Sequence, residues 1–144
     1  MDNMCNNQDN KSCCIAEILS VINVLQQNAE CCGDACLDTC DRGFLGNGTT
    51  SLGYNTRPVI LYTAAGNGTP WSMPTTREDV VCGDEGVTCS NVFRVEKIDN
   101  CCCTFRVLVE NEDGTYSSTE SFFTMNLECI CSIRCLGDTL VQSL

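Results

Sequence analysis

Val92-Phe93-Arg94-Val95-Glu96-Lys97-Ile98-Asp99-Asn100-Cys101-Cys102-Cys103-Thr104-Phe105-Arg106-Val107-Leu108-Val109-Glu110 decides the fold. Both flanks of this stretch alternate apolar and polar residues with period two, as a strand with one buried face does. Phe93 and Val95 share a face in the first flank; Phe105, Val107 and Val109 share one in the second. Asp99-Asn100 lies between them, and both residue types bond to their own backbone and tolerate tight turns. The stretch therefore predicts an antiparallel hairpin. Downstream, Glu112-Asp113-Gly114 predicts a second turn, and Phe123, Met125, Leu127, Cys129 and Cys131 predict one face of a last long strand. Upstream, Pro58-Val59-Ile60-Leu61-Tyr62-Thr63 predicts a short buried strand ended by Gly66-Asn67-Gly68.

The texture differs before residue 57. Residues 1–12 are polar and Asn-rich and read as a flexible arm carrying Cys5. Ile15, Ile18, Leu19, Ile22 and Leu25 then fall on one helical face, with Ser12 as the N-cap candidate, predicting an amphipathic helix over 13–28. Residues 31–56 are dense in Cys, Gly, Asp and Asn and read as a Cys-rich loop region. Residues 57–136 form the expected β-domain, so 13–144 reads as a single domain, with no internal repeat and no linker. The expected fold class is mainly β: an antiparallel β-sandwich preceded by the helix and the Cys-rich loop.

Composition limits what such a domain does. The 144 residues hold 15 Cys, no His, and 19 Asp and Glu against 8 Lys and Arg, a net charge of −11. Nucleic-acid affinity comes chiefly from basic side chains that displace counterions, so no nucleic-acid partner is expected. No stretch approaches the roughly 20 apolar residues of a membrane span, and no membrane partner is expected. The N-terminus shows no basic region followed by an apolar one, so no signal peptide is expected. Without His there is no His-based triad or general base, and Arg57, Arg94, Arg106 and Arg134 can lower a thiol pKa but cannot act as bases. No enzyme, catalytic residue or cofactor is expected. Asn47-Gly48-Thr49 and Asn67-Gly68-Thr69 match the glycosylation sequon but read as loop turns.

The cysteines carry the chemistry. An odd total leaves at least one thiol per chain free or bonded to another molecule. Neighbouring Cα atoms are about 3.8 Å apart, below the roughly 4.4–6.8 Å of ordinary disulfides, so adjacent cysteines do not readily pair. In a strand, Cys101 and Cys103 would face one side and Cys102 the other; on a helix, Cys13 and Cys14 would diverge by about 100°. Such runs aim thiols inward and outward at once. The alternative is a metal-thiolate module. Cys32-x3-Cys36-x3-Cys40 and Cys131-x3-Cys135, with Cys129 beside the latter, fall within zinc-ligand spacing, although no C-x2-C occurs. Spacing leans toward disulfides, and no metal ligand is assigned.

Asn55-Thr56-Arg57-Pro58-Val59-Ile60-Leu61-Tyr62-Thr63, Val92-Phe93-Arg94-Val95-Glu96 and Leu127-Glu128-Cys129-Ile130-Cys131-Ser132-Ile133-Arg134-Cys135-Leu136 resemble segments of the cysteine-rich CotY/CotZ/ExsY family of bacterial spore coat and exosporium proteins. Val21-Ile22-Asn23-Val24-Leu25-Gln26 and Phe44-Leu45-Gly46 fall in the same order, so the resemblance covers roughly 13–138. It implies a structural protein made in the mother-cell cytoplasm and placed in the spore coat or exosporium surface layer. There it would self-assemble as a homo-oligomer, hexamer-based, into a two-dimensional lattice hardened by disulfides, with itself and other coat proteins as partners. The sequence departs from the family pattern in lacking His, in doubled or tripled cysteines at 31–32 and 101–103, and in a short 110–121 connection. On this reading Cys5, Cys13, Cys14, Cys31, Cys32, Cys101, Cys102 and Cys103 are candidates for bonds between subunits. Cys36, Cys40, Cys82, Cys89, Cys129, Cys131 and Cys135 are candidates for bonds within one, the last three because they lie on or end the core-facing strand.

Overall fold

The computed structural model describes residues 14–27, 54–142 and Leu144. Helix α1 spans Cys14–Gln27, and the strands are β1 (Val59–Thr63), β2 (Met73–Pro74), β3 (Cys89–Ser90), β4 (Val92–Asp99), β5 (Cys102–Glu110), β6 (Tyr116–Asn126) and β7 (Ile130–Cys135). The fold is mainly β. A five-stranded antiparallel sheet runs in the order β6-β5-β4-β1-β7, and β2 pairs with β3 in a separate ribbon.

The hairpin that the central stretch predicts is β4–β5, closed from Asp99 opposite Cys102 across Asn100 and Cys101. Asn100 takes φ 56°, the left-handed conformation that Asn tolerates better than most residues. One extra residue, Glu96, sits between the pairs Val95–Phe105 and Lys97–Thr104, a bulge that bends the strand. The second turn also falls where its signal lies: Asp113 accepts from the amide and hydroxyl of Thr115 at 3.1 and 2.6 Å. Those bonds hold the Asp113 carboxyl below its usual pKa.

The core lies between the sheet and α1. Leu19 and Ile22 are fully buried against Val59, Leu61, Phe93, Val95, Phe105 and Val107, and Leu25 is also buried. Full burial of each such side chain contributes about 1.5–3 kcal/mol. Phe93, Phe105 and Phe123 form a ring cluster, with centroids 4.8 Å apart for Phe93–Phe123 and 5.3 Å for Phe105–Phe123. On the other face of the sheet, Val92 and Leu108 pack beneath Val141, with Ile60, Tyr116 and Leu136 around them.

Two expectations change. The predicted last long strand is two strands at opposite edges of the sheet. Apolar alternation continues through residues 123–131, but the chain breaks at Asn126, whose side chain accepts from the Glu128 amide, while the Leu127 amide donates to the Cys101 carbonyl at 2.7 Å. A 3-10 turn, Leu127–Cys129, then delivers the chain to β7, which pairs with β1 instead of β5. That turn also alters the architecture expected as a sandwich. In a flat sheet, β6 and β7 would lie about 19 Å apart, four strand spacings of about 4.8 Å. The four peptide steps from Asn126 to Ile130 reach at most about 15 Å. The sheet is therefore coiled, with its edges drawn together, and the end of β1 faces the end of β6 across a groove. In place of a second large sheet, α1 covers the concave core. The predicted Ser12 cap and most of the predicted Cys-rich loop lie outside the described residues.

Candidate cross-linking sites

A cross-linking thiol has to be exposed and free, and one carried on a rigid body is also fixed in place. The rigidity comes from buried polar groups that tie distant segments together. Gln26, in the last turn of α1, is 5% exposed. Its Nε2 donates to the Val95 carbonyl at 2.8 Å, beside the Glu96 bulge, and its Oε1 accepts from the Arg57 amide at 3.0 Å. One side chain thus joins the helix to β4 and to the entry of β1. Arg57, 1% exposed, reaches the other way and binds Asp138 in bidentate fashion, Nε–Oδ1 at 2.7 Å and Nη2–Oδ2 at 3.0 Å.

Asn55 continues the stitch, donating to the Val141 carbonyl and accepting from its amide, both at 3.0 Å. Thr56 and Thr139 exchange backbone bonds at 3.1 and 2.9 Å. Arg94 donates to the Thr56 hydroxyl at 2.9 Å and to Glu96 Oε2 at 2.8 Å, and the same oxygen accepts from Arg106 Nε at 2.9 Å. Arg106 also stacks over Phe122 at 4.5 Å. Three of the four arginines considered for lowering a thiol pKa are thus committed to structural bonds.

Against that frame the described cysteines take distinct places. Cys82 and Cys89 are bonded, closing the loop between β2 and β3 with Cα atoms 6.0 Å apart. Gly83 (φ 103°) and Gly86 (φ 83°) make the reversal inside that loop, at backbone angles that side chains resist. Cys101, in the β4–β5 turn, and Cys135, at the end of β7, are also disulfide-bonded. Cys14, Cys102, Cys129 and Cys131 are free and exposed. Cys103 is free but fully buried in the sheet core. Its pKa is pushed up to about 12, chiefly by burial and further by Cys102 next door, so it stays a protonated and unreactive thiol at neutral pH.

The run Cys101 to Cys103 therefore holds one bonded sulfur, one outward thiol and one inward thiol, through the alternation that a strand imposes. Cys103, read from sequence as a link between subunits, has no route to another subunit without opening the sheet. Cys129 and Cys131, read as staples within the subunit, stand at the surface unbonded, because the strand expected to bury them ends at Asn126. Cys5, Cys13, Cys31, Cys32, Cys36 and Cys40 lie outside the described residues. Cys129 also lines the groove, about 530 Å³, whose other walls include Ala64, Trp71, Met73, Phe123 and Met125. The Trp71 Nε1–H is buried there and has no hydrogen-bond partner among the described residues.

Among the described residues no three Cys, Asp or Glu side chains gather as a metal ion would require. No helix of the described residues is long and apolar enough to cross a membrane. Sequence reading quoted Gln26 and Asn55 within the family-like segments without giving them a role, and passed over Asp138. A glutamine on the apolar face of a helix and an Arg-Pro pair opening a strand were the available signals.

A family model described as Spore coat protein Z matches residues 3–121. That is most of the chain, which belongs to this family. The match ends within β6, ahead of the Leu127–Leu136 segment. Neither a curated protein nor a solved structure matches. The family is a structural one, and membership places the chain among spore coat proteins.

Proposed function

On the premise of spore coat membership, we propose that this chain is a self-assembling subunit that builds an ordered, disulfide-hardened layer of the spore surface, in the coat or exosporium and in the manner of the CotY and ExsY proteins. The observation that carries the reading is the sorting of thiols. The subunit is held together by buried hydrogen bonds, ion pairs and its own disulfides, yet Cys14, Cys102, Cys129 and Cys131 remain free at the surface. A soluble enzyme or carrier gains nothing from such a set; a tile that must be fixed to its neighbours does. Subunits, grouped as hexamers, meet through sheet edges and loops, and oxidation then makes the contacts permanent. The gain between subunits is kinetic, since a mesh cannot come apart until several bonds are cut. Other coat proteins with exposed thiols join the same mesh.

Negative-stain microscopy of the purified chain, before and after reductant, with metal assayed on the same sample, tests this. Ordered sheets or rings that loosen on reduction, with little metal, are the expected result. A dispersed monomer holding stoichiometric zinc and losing its fold to a chelator would overturn it in favour of a metal-thiolate module.

A further inference from the structure

Three of the exposed free thiols surround one junction of the fold. Cys102 opens β5 opposite Asn126, the last residue of β6. Cys129 ends the turn that follows Asn126, and Cys131 is the second residue of β7. At about 3.8 Å per residue, the Cα of Cys129 lies within about 11 Å of that of Asn126, and the Cα of Cys131 within about 19 Å. All three are at the surface and none is bonded to another. The turn is anchored by the Leu127–Cys101 backbone bond and the Asn126 cap, so the thiols sit on fixed backbone. Beneath them Cys103, which shares β5 with Cys102, points into the core and is out of reach.

We infer that this junction is the covalent edge of the subunit: Cys102, Cys129 and Cys131 bond to a second copy of the chain, and Cys103 does not. The inference rests on the proposed assembly and names the residues that seal it. A second copy is the fitting partner because the three free thiols at this junction are an odd set that cannot all close among themselves, whereas the six of two copies can. Each copy presents the same thiols, so two junctions that meet supply both halves of the bond. The oxidant is a low-molecular-weight disulfide. A thiolate of one copy attacks it, forming a mixed disulfide and releasing one small thiol. A thiolate of the second copy then attacks the protein sulfur of that mixed disulfide and releases the other. Two protein thiols are oxidised, one small disulfide is reduced to two thiols, and the two protons go to the released thiolates.

The test uses the purified full chain oxidised with oxidised glutathione, read by non-reducing electrophoresis and by mass spectrometry of the linked peptides. The combined variant C102S/C129S/C131S should lose at least fivefold of the disulfide-linked multimer, while C14S should lose less than twofold. Multimers unchanged in the triple variant, or these three sulfurs found bonded only within one chain, would overturn the inference. If the triple variant does not fold, as judged by circular dichroism, alkylation of the native wild-type chain decides. Labelling of Cys102, Cys129 and Cys131 should be complete in separate subunits and lost in oxidised assemblies; labelling that persists there overturns it. Failure here is distinguishable from failure of the proposed function. Sheets that form and loosen on reduction regardless of the triple variant leave assembly standing; a wild-type chain that forms no sheets removes assembly itself.

Discussion

Replacing Gln26 tests whether the fold depends on a single buried side chain. Gln26→Met keeps the length and apolar surroundings of the residue but removes both hydrogen bonds, leaving the Val95 carbonyl and the Arg57 amide without their side-chain partner. An unsatisfied buried polar group costs about 1–3 kcal/mol, so the expected loss for the two is about 2–6 kcal/mol. With a urea dependence of about 2 kcal/mol per molar, the unfolding midpoint should fall by about 1–3 M. Exposed thiols would be alkylated beforehand, so that disulfide exchange does not blur the transition. Gln26→Glu sharpens the test. The ionised carboxylate can still accept from Arg57 but cannot donate to Val95, and it carries a charge into the core. Once protonated, it can do both. Its folded pKa should therefore rise above the ordinary glutamate value near 4.3, and the deficit of the variant against wild type should shrink as pH falls through that folded value. A loss below about 0.5 kcal/mol for Gln26→Met, or a pH-independent deficit for Gln26→Glu, would refute the assigned role.

Glu96→Gln should cost about 1–2 kcal/mol, since Glu96 Oε2 serves both Arg94 and Arg106, and the loss should shrink in high salt; urea titrations at two salt concentrations check this. Removing the Cys82–Cys89 bond as C82S/C89S should cost about 2–3 kcal/mol from the entropy of a loop closed over seven positions, seen as a lower thermal midpoint with the sheet intact by circular dichroism. Cys103 has its pKa raised from 9.0 to about 12 in the folded chain, so the unfolded chain gives up this proton first. Stability should decline from about pH 9 upward, by at most about 1.4 kcal/mol per unit until pH 12, and Cys103→Val should flatten that limb in denaturant titrations.

How much of this was legible in the sequence follows from the range of each interaction. The β4–β5 hairpin and the buried face of α1 are local patterns, periods of two and 3.6, and the structure places both within a residue or two of where they read. The break at Asn126 was not legible. Nothing from Phe123 to Cys131 interrupts the apolar alternation, no Gly or Pro marks the turn, and only pairing of β7 with β1, some 70 residues away in the chain, separates the two strands. Taking them as one strand turned Cys129 and Cys131 inward on paper. The coiling of the sheet was hidden for the same reason, because alternation shows that a face is buried and not what covers it. Buried thiols were half legible. The opposite orientations of Cys102 and Cys103 follow from adjacency in a strand, but which of the two faces inward depends on the register with Ile98 and Met125.

The family-like segment Asn55–Thr63 gains a physical meaning from these contacts. Asn55, Thr56 and Arg57 are the residues that bind the C-terminal stretch, α1 and β4 into one body, and Val59 and Leu61 fill the core behind them. A match built on such positions speaks to the shape of the tile. It says little about the exposed thiols, which take no part in any of these bonds. On the proposed assembly, the exposed cysteines around the β6–β7 turn belong to a second layer of the design, separate from the buried bonds that hold the sheet. The two layers make different demands. Substitutions at Gln26 or Arg57 should destabilise the subunit and weaken its assembly together, whereas substitutions at Cys102, Cys129 or Cys131 should spare the subunit and alter only what reductant releases. A thiol variant that unfolds the isolated subunit, or a Gln26 variant that assembles normally, would break that separation.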